Sequence, residues 1–69
     1  MSFFRVRPSS RVGFYEIVAR VDVPDPRDGR FLLYRAGELV PSSQVGNKAE
    51  AEIWAADLNR RYAPLESQK

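Results

Sequence analysis

No cysteine and no histidine occur among the 69 residues, so packing and hydrogen bonding alone must hold the fold together. A single domain of this size buries only about 60% of the surface that its unfolded chain exposes. Ordering the chain costs on the order of 100 kcal/mol. The sequence therefore predicts either very consistent packing or stabilisation by a partner, and self-association is an expectation from size alone.

The same two absences exclude several classes of function. Disulfide frameworks, zinc fingers, thiol nucleophiles and Ser-His or Cys-His catalytic pairs all need residues that this chain lacks. The pairs Ser9-Ser10 and Ser42-Ser43 have no general base, and the four glycines form no phosphate-binding loop. We expect a protein that is not an enzyme, with no cofactor, no metal and no evident small-molecule substrate.

One group of acidic residues resembles a metal-binding segment. It consists of three aspartates spaced three residues apart: Asp22, Asp25 and Asp28. Hard cations prefer clustered oxygen ligands, which would suit calcium. The spacing is not that of an EF-hand loop, and no bidentate glutamate ends the segment. Turn formation is the favoured interpretation, because Asp is common in turns and two prolines and Gly29 share the segment.

Alternation of apolar and polar residues predicts three strands in the first half of the chain. They span residues 3–7, 13–23 and 30–35, and residues 38–40 could add a short fourth strand after a reversal at Ala36-Gly37. The third strand is apolar on both faces, which is typical of a central strand or of one with a second partner. The second strand has one apolar face, made of Tyr15, Ile17, Ala19, Val21 and Val23.

A helix from Lys48 to Tyr62 is the clearest element of the sequence. Asn47 is a favourable N-cap, and Glu50 supplies a carboxylate near the positive helix end. Pro64 is expected to stop the helix, which leaves residues 64–69 as a frayed tail. One helix face should cover the sheet and carries Ala51, Trp54, Ala55, Leu58 and Tyr62.

An apolar helix face on an apolar sheet face predicts a two-layer α+β domain over residues 1–63. Its sheet should be antiparallel, with three or four strands, and the C-terminal helix should pack against it. The unbroken apolar runs are too short for a membrane span or a signal-peptide core. We therefore expect a soluble, cytoplasmic protein.

Arginines are concentrated in the first half of the chain. Residues 1–35 hold seven arginines and four acidic residues, a net charge of +3, whereas residues 36–69 hold four basic and five acidic residues, a net charge of −1. Arginine binds phosphate bidentately and stacks on bases, so the outer sheet face could contact double-stranded DNA, with Phe3 or Tyr34 among the arginines. The alternative is a solvated face in a protein that favours Arg. The candidate residues are Arg5, Arg7, Arg20 and Arg35.

The side of the helix opposite its core stripe provides a second candidate site. Its centre is Ile53, at a position where a helix in a lone domain normally carries a polar residue. An isoleucine flanked by small residues favours contact with a protein partner or a second copy, and a single exposed Ile is the alternative. The candidate interface residues are Ala49, Ile53, Ala56 and Arg60.

Three strands followed by a helix that begins Asn47-Lys48-Ala49-Glu50-Ala51-Glu52-Ile53-Trp54 resemble the arm-binding N-terminal domains of phage-type tyrosine recombinases. The resemblance spans residues 13–62, and the element order is also similar to that of several small bacterial domains. In the recombinases the helix often opens Thr-Lys-x-Glu-Ala, and a three-stranded sheet inserts into the DNA major groove. The resemblance implies a small binding module that contacts DNA through its sheet arginines, although Asn47 replaces Thr and this chain is less basic. A protein-interaction or self-associating module is the alternative.

Overall fold

A computed structural model describes residues 2–66 of the chain. Its elements are β1 (Phe4–Pro8), β2 (Tyr15–Ala19), β3 (Val23–Pro24), β4 (Leu32–Tyr34) and α1 (Lys48–Glu66). Strands β1 and β2 form one antiparallel pair, and β3 and β4 form another. The predicted α+β class with antiparallel strands and a C-terminal helix is confirmed, but the strands form two pairs rather than one continuous sheet.

The alternating segment 13–23 does not form one strand but is divided between β2 and β3. The chain reversal at Ala36-Gly37 hydrogen-bonds to the end of β2 and separates the two strands. The N–H of Gly37 donates to the carbonyl of Ala19 at 2.8 Å. Asp22 accepts a hydrogen bond from the N–H of Ala36 at 2.9 Å, so residues between β2 and β3 wrap around this reversal. The reversal at Ala36-Gly37 was predicted, and Gly37 adopts φ 86°, which a residue without a Cβ tolerates best.

The third strand is shorter and more peripheral than its apolar sequence suggests. In the described part of the chain β4 pairs with β3 alone, and Phe31 and Leu32 are exposed. The expectation of a central strand is therefore wrong. Residues 38–40 instead lie along β2, where Leu39 forms an antiparallel bridge with Val18. A strand that is apolar on both faces can be buried on both, but its sequence does not tell which other segments pack against it.

The register of β1 and β2 defines two faces of that pair. Phe4 lies opposite Ala19 and Val6 opposite Ile17, and this face packs under α1. The other face carries Arg5 and Arg7. Val18, opposite Arg5, is also buried, so this second face is covered on its β2 side. The main cluster of buried apolar residues is Phe3, Phe4, Ile17, Ala19, Val23, Val40, Ala55 and Leu58.

Two aromatic residues expected among the arginines belong to the core instead. Phe3 is buried, and its ring meets that of Phe4 edge-on at 6.4 Å. Tyr34 makes a similar edge contact with Phe4 at 5.8 Å. Phe3 lies just before β1, outside the strand alternation, so its side chain is free to turn to the buried side.

The helix begins as predicted and ends later. The Asn47 side-chain oxygen accepts the N–H groups of Ala49 at 2.8 Å and Glu50 at 3.3 Å. The helix continues through Pro64 to Glu66, so the expected stop at Pro64 is wrong. Proline this close to a helix end removes one hydrogen bond and leaves little helix to disrupt. Of the predicted tail, residues 67–69 lie outside the described residues. On the predicted core stripe, Ala51, Ala55 and Leu58 are buried, and Trp54 and Tyr62 are half-buried.

Candidate binding surfaces

The face of the β1–β2 pair that points away from α1 carries two of the four candidate arginines. Arg5 is exposed. The Arg7 Nε lies 2.6 Å from Oε2 of Glu16, the residue opposite it in the register. The Glu16 side chain is only 9% exposed, so this ion pair is partly shielded from water. The positive charge of Arg7 is therefore largely compensated within the fold.

The other two candidate arginines lie beyond strand ends. Arg20 follows β2, and its Nη1 donates to the carbonyl of Ser2 at 3.0 Å and to the Ser2 Oγ at 3.3 Å. Arg35 follows β4 and is exposed. The structure thus places Arg5 and Arg7 on one face but does not add Arg20 and Arg35 to the same strand positions.

The aspartates of the β3–β4 connection serve its local turns. Asp25 accepts the N–H of Arg27 at 2.8 Å, and Asp28 accepts the N–H of Arg30 at 3.1 Å, both two residues further on. The Arg30 guanidinium also binds the Asp28 carboxylate, which holds the pKa of Asp28 below its usual value. Among the side chains that the structure describes, those of residues 2–64, no group of three or more acidic side chains is arranged to hold a metal ion.

The outer side of α1 borders a groove of about 510 Å³. One wall is Val45, which is fixed in place because its N–H and carbonyl both hydrogen-bond to Tyr15, at 2.8 and 2.7 Å. The other wall is the helix, whose first turn is fixed by the Asn47 cap. The groove is lined by Val45, Glu50, Ile53, Trp54, Asp57 and Arg60.

Ile53 is 69% exposed at the centre of this surface. Trp54 is half-buried, because it packs against the core and also lines the groove. Of the residues predicted for an interface, Ile53 and Arg60 line the groove, and the exposed Ala49 and Ala56 lie beside them on the helix. Helical spacing indicated this side of α1.

Sequence reasoning missed the remaining groove residues. Val45 lies three residues before the helix, and its orientation is fixed by a bridge to Tyr15, a residue far from it in the chain. The helical periodicity predicts a core position for Trp54 and gives no sign that its side chain also lines a groove. The spacing of Glu50, Ile53, Asp57 and Arg60, at three, four and three residues, was present in the sequence as a signal that these side chains share one helix stripe.

Charges differ between the two ends of this stripe. Glu50 lies in the first turn of α1, and Arg60 lies ten residues further on. Asp57, between them, accepts a hydrogen bond from Arg61 at 2.6 Å, and the Arg60 Nη1 lies 3.9 Å from the same carboxylate. The groove therefore has an acidic end, an apolar centre formed by Ile53 and Trp54, and a basic end.

No family model, curated protein or solved structure matches this chain. The resemblance to recombinase domains stays a prediction. Within residues 2–66, no helix has the length and apolar character needed to cross a membrane.

Proposed function

We propose that this chain is a non-catalytic protein-interaction module and that its contact surface is the outer side of α1. The observation that carries the proposal is the exposure of Ile53, a large apolar residue at the centre of a groove with Trp54 on one side and charged residues at both ends. Burying a fully exposed isoleucine side chain contributes about 1.5–3 kcal/mol of favourable free energy, so association at this site would be stabilised.

The geometry favours a helix as the occupant of this surface. Glu50, Ile53, Asp57 and Arg60 follow the three- and four-residue spacing by which one helix packs along another. The small exposed residues Ala49 and Ala56 permit a close approach of a second backbone beside Ile53. Glu50 and Arg60 then act mainly as determinants of orientation, since exposed charge pairs contribute little net affinity.

Site-specific photo-crosslinking in cells that make the chain tests this proposal. Ile53→p-benzoylphenylalanine places the reactive group at the centre of the groove, and Val12→p-benzoylphenylalanine is the matched control at another highly exposed apolar position. We expect a crosslinked protein adduct from position 53 and none from position 12. No adduct from position 53, or equal adducts from both positions, would contradict the proposal.

Duplex DNA is a second candidate partner. The observation that favours it is the pair Arg5 and Arg7 on the face of β1 that points away from α1, because strands can enter the major groove of DNA. Their partners in the register, Val18 and Glu16, are buried, so the arginines occupy the β1 side of this face. The resemblance to recombinase DNA-binding domains supports the same candidate. The compensation of Arg7 by Glu16 reduces the positive charge available to DNA, which is why the helix surface is the first candidate.

The DNA candidate is tested by fluorescence anisotropy with labelled duplex DNA at about 50 and 200 mM salt. If the arginine face binds phosphates, joint Arg5→Ala and Arg7→Ala substitution weakens binding and lowers the salt slope by about two. Joint Arg60→Ala and Arg61→Ala substitution on the helix is the charge-matched control, and it should leave the slope nearly unchanged. An unchanged slope in the strand double variant, or no binding at low salt, excludes this face.

A further inference from the structure

We propose that the helix occupying the outer side of α1 is α1 of a second copy of this chain, lying antiparallel to the first. This inference rests on the proposed function and adds the identity and the orientation of the partner. It is carried by the order of charges along the groove, from Glu50 at one end to Arg60 at the other.

That order of charges is self-complementary in one orientation only. Glu50 and Arg60 are ten residues apart, which is about 15 Å along a helix, so they are too distant to pair within one copy. In a two-fold arrangement centred at the level of Ala55, Glu50 of each copy lies opposite Arg60 of the other, and the pair forms twice. A parallel arrangement would instead place Glu50 against Glu50 and Arg60 against Arg60.

The apolar centre fits the same arrangement. With the two-fold axis at the level of Ala55, Ile53 of one copy lies level with Asp57 of the other and one residue from its Ala56, and the small exposed alanine leaves room for the isoleucine side chain. Arg60 is also available for a contact between copies. It lies 3.9 Å from Asp57, whose carboxylate is bound more closely by Arg61, and a guanidinium offers five N–H donors.

A symmetric dimer would also add to the stability of this small domain. A 69-residue domain with no disulfide gains relatively little from its own core, and an isologous contact buries the same apolar patch on both copies. Ile53 and the exposed part of Trp54 would then leave water in both copies at once.

The test is a charge exchange between copies, measured by sedimentation equilibrium from about 1 µM to about 1 mM. Glu50→Arg alone gives a dimer with Arg opposite Arg, and Arg60→Glu alone gives Glu opposite Glu. Each variant should therefore dimerise at least roughly tenfold more weakly than the unaltered chain, since two pairs are lost by symmetry.

Mixing the two variants in equal amounts should restore dimerisation. In the heterodimer the introduced arginine of one copy faces the introduced glutamate of the other. At the opposite end, the native Arg60 of the first copy faces the native Glu50 of the second. Both pairs are therefore regained, whereas each variant alone has neither.

Matched variants keep this result interpretable. Glu52→Arg changes the charge by the same amount at an exposed helix position outside the groove, and it should leave dimerisation unchanged. If Glu50→Arg lowers helix content in circular dichroism, Glu50→Gln and Arg60→Gln replace the reversals, and each should weaken the dimer without like-charge repulsion.

The remaining outcomes separate this inference from the proposed function. A dimer that the mixture of variants does not restore overturns the antiparallel arrangement. A chain of 7.9 kDa at every concentration, together with a crosslink from position 53 to another protein, overturns the second copy and leaves the interaction surface standing. A monomer with no crosslink from position 53 overturns both.

Discussion

Ser43 joins the segment before the helix to the middle of β2. Its Oγ accepts the N–H of Ile17 at 3.1 Å and donates to the carbonyl of Ile17 at 3.3 Å, and the residue is only 1% exposed. A buried N–H without a partner is costly, so this hydroxyl takes the place of a strand that would otherwise continue the pairing at that point. The preceding Ser42 adopts φ 59°, which directs the chain into this contact.

Ser43→Ala should lower the free energy of unfolding by about 1–3 kcal/mol, because it leaves the N–H of Ile17 buried without an acceptor. Urea denaturation followed by circular dichroism measures the change. Ser42→Gly is the neighbouring control, and it should be neutral or slightly stabilising because glycine tolerates a positive φ. Equal stability of Ser43→Ala and the unaltered chain would mean that water satisfies Ile17.

Burial raises the pKa of the Tyr34 phenol, and the negative charges of ionised Tyr62 and of Glu38 add to the effect. The folded chain therefore favours the neutral phenol more than the unfolded chain does. The stabilising contribution is complete below the unfolded pKa, about 10, and is lost as the pH rises through the folded pKa.

Tyr34→Phe should reduce the loss of stability at alkaline pH. Urea midpoints measured between about pH 8 and about pH 11 should fall less steeply in the variant, because one ionising group has been removed from the core. Tyr15→Phe is the control for loss of a hydroxyl elsewhere. Parallel pH curves for Tyr34→Phe and the unaltered chain would rule out this contribution.

At the scale of elements, α1 is attached to β1 by a side-chain amide as well as by apolar packing. Asn59 accepts the N–H of Phe4 at 2.8 Å and donates to its carbonyl at 3.1 Å. Strand β1 is paired only with β2 among the described strands, so its outer edge would otherwise need water at this point. The helix thus supplies the edge with the partners that a further strand would have provided.

Asn59→Ala should lower the free energy of unfolding by about 2 kcal/mol and expose the Phe4 amide, because both hydrogen bonds are lost while the helix remains. Amide hydrogen exchange by NMR measures the protection of Phe4, and urea denaturation gives the stability. Glu52→Ala, at an exposed position of the same helix, is the control. Unchanged exchange protection of the Phe4 N–H would show that the Asn59 side chain does not stabilise the outer edge of β1.

At the scale of the whole molecule, the proposed dimer couples folding to concentration. A species that binds only the folded chain raises the melting temperature as its concentration rises. We expect the melting temperature to increase by roughly 4 °C for each tenfold rise in concentration. Ile53→Glu should abolish this dependence, and Val12→Glu should retain it. A melting temperature independent of concentration in the unaltered chain would contradict the dimer.

Features that depend on residues close together in the chain could be predicted from the amino-acid sequence. The Asn47 cap, the apolar stripe of α1, the turn at Gly37 and the faces of β1 depend on backbone geometry and spacing over a few residues. The exposed position of Ile53 follows from the same helical spacing. These features could be predicted because few alternative conformations compete with them locally.

Which segments pair and pack together could not be predicted from local sequence patterns. Three features join segments that are separated by loops. They are the division into two strand pairs, the ion pair between Arg7 and Glu16, and the bridge between Val45 and Tyr15. Alternation tells which side of a strand is apolar, but several pairings can bury that side equally well. The choice between these pairings depends on the total packing and hydrogen bonding of the folded chain. Because the chosen fold fixes Val45 against Tyr15, the exposed Ile53 lines a groove that has charged residues at both ends.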